Sequence, residues 1–542
     1  MSDFDVIVIG SGAGGLTAAV ALQQAGLRTL VLEQHYAPGG WCHSFTLEGN
    51  RFSPGVHYVG ELGAGGRMRA VYEGLGVSGD LEFCELNPDG YDHLRIGGER
   101  FDIPKGRDEF RRRLEERFPQ EKRGIRGYLG TVQDIGDQLN ALFEFKGFLD
   151  VLTVPLRAPA VARWGFSSAA SLLDRHVHDP LLRAIFAAQS GDHGLPPSLA
   201  PAAVHASVTA HYFEGGWYPR GGAWVMPRAF IRALERAGGE IRLRTPVQRI
   251  LVEHGRAIGV RLGDGGEIRA RHIVSNADPA QTFGKMMDTS DVPPAVKRKL
   301  ARTRWSTSAL SLFLATETDL RAAGMDSGNV WNYAHQDLES IYRTGQLPED
   351  GIPGLFVTAT TLKDPSKFRG THTLEAFTFV DHAAFRAFTA SRTGDRPAAY
   401  AELKTELTRR MLGAVQGVIP DLKIKLAELG TPLTNVHYCA STDGNLYGTE
   451  KSRWQVGPWA WPIRSAVPGL FLCGASTLSH GVLGATFSGL IAAREITGVR
   501  ISELLLQRGP ELVTLPAERP ESWPDRFRPR RRDRTPAEVR IP

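Results

Sequence analysis

The opening residues constrain the fold more than any other stretch. Val6 to Ile9 is an unbroken apolar run, as suits a strand buried on both faces of a parallel sheet. Gly10-Ser11-Gly12-Ala13-Gly14-Gly15 follows at once, then an alanine- and leucine-rich stretch that Gly26 ends in the manner of a helix C-cap. A second apolar run, 28 to 32, leads into Glu33 and Gln34. Each residue type has a reason. Gly10 permits a tight turn, Gly12 lets a pyrophosphate approach the backbone, and Gly15 lets the helix lie close to the sheet. Ala13 and Gly14 open that helix, whose free N–H groups and positive dipole end then face the phosphates. Glu33 stands 23 residues after Gly10, where a carboxylate accepts from a ribose 2′-hydroxyl. The unit predicts a dinucleotide site. A glycine-rich turn in a fold that binds nothing is the bland alternative, and it leaves the placed acid without a purpose.

The next stretch, "GGWCHSFTLEGNRFSPGVHYVG" from Gly39 to Gly60, admits three readings. A zinc site wants three or four ligands at recognisable spacing. Here Cys42 and His43 are adjacent, and His57 stands alone beyond a hairpin turn at Glu48-Gly49-Asn50. A cysteine nucleophile wants a paired base and an electrophilic substrate. The third reading is the wall of a cofactor cavity, with Gly39 and Gly40 as a close-approach loop and Cys42 as a small buried residue. The first unit favours this third reading, and no metal is expected.

Two more segments suit the same fold. After Tyr218 a helix carries Phe230, Ile231 and Leu234 and stops at Gly238-Gly239. Alternating stretches at 247–252, 257–262 and 267–270, with turns at Gly255 and 263–266, predict an antiparallel meander. The run 272–274 returns to the parallel sheet, and "SNADP" closes it. Leu470 to Cys473 predicts a buried strand with Gly474 as its exit, and a helix beginning near Gly484 follows. The alternating runs "STSALSLFLAT" from Ser306 and "THTLEAFTFV" from Thr371 predict an antiparallel sheet covered by a helix over 398–415. We therefore expect a cofactor domain from 1–90, 215–300 and 430–500, and a substrate domain from 91–214 and 301–429. A basic, Pro/Arg-rich tail over 515–542 is expected to be mobile. No second strand–GxGxxG–helix unit occurs, so electrons are expected to pass to or from an external donor or acceptor.

Composition narrows the remaining classes. With 542 residues and a net charge of +5, and no basic-aromatic module, nucleic acid is not an expected partner. The four cysteines show no CxxC pair and suit a reducing, cytoplasmic setting. Acids at positions 3 and 5 argue against a secretory leader. Residues 139–166 are apolar, with scattered cations and two prolines. They read either as helices roofing the substrate domain or as a peripheral membrane contact through which a lipid enters.

The motifs "GGWCHSF", "GVHYVG", "FPQE" at 118–121, "HYFEGGWYPRGG" at 211–222 and "VSNADP" at 274–279, with the C-terminal strand and helix, carry a resemblance. Up to about Val499 the chain resembles the retinol saturase and carotenoid isomerase branch of the phytoene desaturase-like flavoproteins. The resemblance implies FAD and an α/β fold: a discontinuous Rossmann-type FAD domain with a meander, plus an α+β substrate domain. It also implies a long apolar polyene substrate whose C=C bonds are saturated, isomerised or desaturated by hydride transfer at flavin N5. In its terms Gly39 and Gly40 pass the ribityl region, and Val247 holds the adenine end through its backbone. Gly474 and Gly484 flank the flavin ring, and Arg220 anchors a phosphate or carboxylate near it. His57 and Tyr58 border the reactive ring as candidate acids, with His211, Tyr212, Tyr218 and His480 as weaker candidates. The family pattern often has an acid beside the exit glycine; Ala475 stands there, leaving that contact to Ser476 or Thr477. Two rivals stay open: a flavin amine oxidase, and a non-enzymatic lipid escort, against which the full glycine turn with Glu33 argues.

Overall fold

Strand Phe4–Ile9 lies at the centre of a seven-stranded sheet in the order Val247–Glu253, Arg256–Leu262, Glu267–Ser275, Phe4–Ile9, Thr29–Leu32 and Glu240–Arg242, with Leu470–Leu472 paired beside Glu267–Ser275. This computed structural model describes residues 2–142, 153–343, 347, 351–506 and 508–529. Val6, Ile7 and Val8 are wholly buried, as their unbroken apolar run requires. The expected meander and its return strand form one element. Glu267–Ser275 pairs antiparallel with Arg256–Leu262 through Gly259 and Arg269, then parallel with Phe4–Ile9 through Val6 and His272. Helix Ala13–Gln24 covers one face and crosses helix Gly481–Thr497, which begins at Gly481 rather than near Gly484. The crossing is very close: a Cβ on Gly489 would lie 2.2 Å from the Gly14 carbonyl oxygen.

The second seven-stranded sheet runs Ile424–Gly430, Ser308–Thr316, His372–Val380, Gly354–Ala359, Asn329–Tyr333, Asp92–Ile96 and Glu99–Ile103. It is antiparallel except where Asp92–Ile96 runs parallel to Asn329–Tyr333. Period-two alternation sends Leu312, Leu374 and Val357 to one face, where Leu407, Met411 and Val415 of helix Ala398–Val418 cover them. The opposite face presents Ala309, Ser311, Trp331, Phe356 and Phe377 to a cavity. Helices Lys122–Leu142, Ala169–His176, Pro180–Ala187 and Ala202–His211 close over it. Residues 143–152, the middle of the apolar stretch, lie outside the described residues.

A three-stranded sheet of Val513–Pro516, Glu82–Glu85 and Trp217–Pro219 corrects the expected mobile tail. Residues 515–529 are docked. Leu515, Trp523 and Phe527 are buried with Cys84, and the Trp523 indole donates to the Pro516 carbonyl at 2.7 Å. The arginines and prolines drew attention away from these apolar residues, whose burial outweighs the local preference for disorder. The remainder of the tail, 530–542, lies outside the described residues.

Two measurements check this packing. Trp523→Ala is expected to lower the free energy of unfolding by about 3–5 kcal/mol, read by denaturant titration. His93 sits between Asp102 at 2.7 Å and Asp326 at 2.9 Å. Burial lowers its pKa, but the two carboxylates outweigh burial and raise it from 6.5 to about 9. The stability it contributes is therefore complete below about pH 6.5 and is lost as pH rises through about 9. His93→Gln is expected to flatten that part of the stability–pH curve.

Candidate active site

The glycine turn is held by a side chain from far along the sequence. Asn276, just past the end of Glu267–Ser275, accepts the Gly15 N–H at 3.0 Å. A Cβ on Gly12 would lie 2.5 Å from Asn276 Nδ2, and one on Gly15 would lie 2.2 Å from the Gly10 oxygen. Helix Ala13–Gln24 has Gly12 as its N-cap, with no side-chain cap and no acid in its first turn. With Gly15 N–H taken by Asn276, the Ala13 and Gly14 N–H groups are left for an anion. Glu33, at the end of the second strand, accepts from Ser11 N at 2.9 Å, Ser11 Oγ at 2.5 Å and His35 N at 2.8 Å.

Gly10, Gly12, Ala13, Glu33, Gln34, Gly39, Gly40, Val247, Gly474 and Gly484 all line one cavity of about 1450 Å³. That exceeds the ~300–1,000 Å³ typical of a single small-molecule site, so a dinucleotide and a second long molecule can share it. Gly14 and Gly15 pack behind the wall, Gly14 against Gly474 N and Ala485 O. Arg220 corrects the sequence reading. It stands away from the cavity, with its guanidinium over the rings of Trp523 and Phe527 and beside Glu82. The docked C-terminal segment claims this cation, which the "YPRGG" motif alone suggested for the cofactor. Tyr218 is likewise set back, its hydroxyl 3.0 Å from Ser53 Oγ.

A second helix end reaches the same cavity. Helix Gly481–Thr497 has His480 as its N-cap, again with no side-chain cap and no first-turn acid. Among the described residues the buried His480 Nδ1 and Ser441 Oγ lack hydrogen-bond partners, and both residues line the cavity. Burial pulls the His480 pKa down to about 3, with the Lys451 charge acting in the same direction. Lys451 is itself buried, donates to the Ala475 carbonyl and is pulled down by burial to about 7. Ser476 lines the cavity, whereas the Thr477 hydroxyl turns back to the Gly474 carbonyl.

The stretch that opened as a puzzle forms the far wall. Cys42 is buried and its thiol is pushed up to about 12, so it is not a thiolate. His43 bonds the Gly40 carbonyl at 2.5 Å. Among the described residues, no three His, Cys, Asp or Glu side chains gather as metal ligands. His57 Nδ1 lies 3.0 Å from Glu375 Oε2, with its ring against both Phe356 and Phe377, which stack on each other. Tyr58 stacks on Tyr212 and reaches Asp192 at 3.2 Å and Asp92 at 3.3 Å. Lys363 lies behind, donating to the His57 carbonyl and to Asn329 Oδ1. Burial pulls Lys363 down to about 7 and pushes Asp92 up to about 6. His211 accepts the Gly60 N–H at 3.0 Å and faces Glu61, and so braces this wall.

Sequence reasoning missed Asn276, Asp92, Asp192, Lys363, Glu375 and Lys451. One signal was available. Glu375 interrupts the apolar alternation of "THTLEAFTFV", and a charge at a core position of a strand needs a partner.

The profile described as flavin containing amine oxidoreductase matches residues 13–497. The chain belongs to that family. All-trans-retinol 13,14-reductase of Danio rerio is 30% identical over 519 residues, spanning 90% of this chain and 85% of that one. Prolycopene isomerase of Daucus carota is 27% identical, spanning 91% and 80%. Within the family the chain falls in the retinol saturase and carotenoid isomerase branch. Putrescine oxidase bound to putrescine shares the fold at a TM-score of 0.61 and 16% identity, over 92% of this chain and 99% of that one. The cofactor of this flavoprotein is FAD, and the residues present suit it. Two helix N-termini with no acid in their first turns, a glycine cradle and two buried polar atoms without partners among the described residues converge on one cavity.

Gly12→Ala places a methyl group 2.5 Å from Asn276 Nδ2, on the turn expected to cradle the diphosphate. We expect FAD affinity to fall on the order of tenfold or more, about 1.4 kcal/mol at least. The flavin-to-protein absorbance ratio of the purified variant checks this.

Proposed function

We propose that this flavoprotein saturates, isomerises or desaturates C=C bonds of a long apolar polyene of the retinoid or carotenoid kind. The observation that carries the reading is the undivided cavity. It leads from the glycine turn past Trp331, Phe356 and Phe377 to Leu139, Val161 and Val208, an apolar arm suited to an extended hydrocarbon. The retinol reductase and prolycopene isomerase relatives support the same substrate class.

The glycine turn, Glu33, Gly39, Gly40, Val247, Gly474 and Gly484 hold the cofactor in this reading. FAD, when bound, supplies or accepts a hydride at N5. The chain does the rest. Trp331, Phe356 and Phe377 exclude water from the polyene, and Glu375 orients the His57 ring through Nδ1. His57 and Tyr58 manage the proton that accompanies each hydride. Electrons come from or go to an external partner.

Peripheral membrane contact is part of the proposal. No helix among the described residues is long and apolar enough to cross a membrane. At the cavity mouth, formed by Val154, Pro155, Phe166, Val456 and Pro458, Leu156 is 86% exposed. Trp454, 69% exposed, and Trp459 stand near Phe166, with Arg453 over the Trp454 ring. Aromatic side chains beside cations favour the boundary between lipid headgroups and acyl chains, where such a substrate dissolves.

The test is anaerobic incubation of the photoreduced protein with retinol, carotenoid precursors and unsaturated lipids, followed by product mass and retention. Gain of two hydrogens identifies saturation. Their loss under oxidising conditions identifies desaturation, and shifted retention at constant mass identifies isomerisation. No polyene product, together with flavin bleaching by amines, would overturn the reading in favour of amine oxidation.

A further inference from the structure

The Tyr58 hydroxyl has two carboxyl neighbours and one proton. Its oxygen lies 3.2 Å from Asp192 Oδ2 and 3.3 Å from Asp92 Oδ2. A phenol donates once, so two such contacts need a second proton on one of the acids. Two carboxylates this close to one oxygen, Asp92 wholly buried and Asp192 half-buried, do not both ionise readily.

The surroundings decide which acid carries that proton. Asp92 accepts from Asn329 Nδ2 at 2.8 Å and from Gln189 Nε2 at 3.3 Å. Lys363 donates to the same Asn329 at 2.6 Å and completes a charged relay behind it. Asp92 is therefore the anion, and Tyr58 donates to it. The Asp192 carboxyl has no hydrogen-bond partner but Tyr58 among the described residues, and Asp192 is the one of the two that lines the cavity. Burial with the neighbouring Asp92 charge pushes the Asp192 pKa well up.

Asp192 is also fixed at the right place. The Tyr447 hydroxyl donates to the Gly191 carbonyl at 2.7 Å, and the Tyr447 ring lies 5.1 Å from that of His480. His480 caps the helix that ends at the cofactor half of the cavity, whereas Tyr58 and Tyr212 belong to the aromatic half. The carboxyl thus stands at the junction of the two halves.

The geometry points to Asp192 as the acid that protonates the polyene, with Tyr58 as the group that positions it. This rests on the polyene reading above. In the reductive direction the Asp192 O–H bond breaks, and its hydrogen forms a C–H bond at one carbon of the double bond. The adjacent carbon takes a hydride whose electron pair comes from reduced flavin, which is left oxidised. Asp192 becomes a carboxylate, receives the Tyr58 O–H as a hydrogen bond, and regains a proton from water when product leaves.

Two measurements on the FAD-loaded protein test this. Infrared difference spectra in H2O and D2O are expected to show the C=O stretch of a protonated carboxyl group that is lost in Asp192→Asn and kept in Asp92→Asn. In Asp192→Glu the band is expected to move rather than vanish, which serves if the asparagine variant folds poorly. Single-turnover reduction of a polyene by the photoreduced protein is expected to slow ~100-fold or more in Asp192→Asn at unchanged flavin content, with Asp192→Glu partly restoring it. A band that persists in Asp192→Asn, or wild-type turnover by that variant, overturns the assignment. If the wild type reduces no polyene, the substrate reading fails, while the infrared band still decides whether Asp192 holds the proton.

Discussion

Everything at the cofactor end depends on backbone meeting backbone where two helices cross. Helix Ala13–Gln24 and helix Gly481–Thr497 touch at Gly14 and Gly489, with no room for a side chain between them. That contact aligns their two N-termini on one cavity. Asn276 locks the arrangement, because it accepts the Gly15 N–H while pressing against Gly10, Gly12 and Gly14. In the proposed reading one positive helix end serves the diphosphate and the other a ring that becomes negative on reduction.

The other half of the cavity is built on a different principle. Aromatic faces from the antiparallel sheet make it apolar, and a few ionisable groups are set into that surface. Glu375 and His57 pair across the wall, and Asp92, Asn329 and Lys363 form a chain behind it. Buried charges of this kind are costly unless each is matched. Here the ionisable groups of the wall are matched by hydrogen-bonding partners, although the buried Trp331 Nε1 has none among the described residues.

What the sequence disclosed was local. The strand, the glycine turn, Glu33, the meander and the last strand–helix pair each complete their pattern within a few dozen residues. What it hid was created by sheet register and distant packing. Glu375 meets His57 across 318 positions, and Asp192 meets Tyr58 across 134. Arg220 was misread for the same reason: its partner Phe527 lies 307 positions away. Composition misled at the C-terminus, where arginines and prolines masked Leu515, Trp523 and Phe527. No spacing rule available within one chain would have gathered these residues.

The place of Asn276 has a consequence for how this fold can be divided. The dinucleotide signature ends by Gln34, yet the amide that shapes it arrives with Glu267–Ser275, and Gly474 arrives later still. A fragment carrying only the opening strand, turn and helix keeps the signature and lacks its clamp. The motif is therefore not a transplantable module. Grafted elsewhere, or severed from the second half of the polypeptide, it would be a glycine loop without a grip.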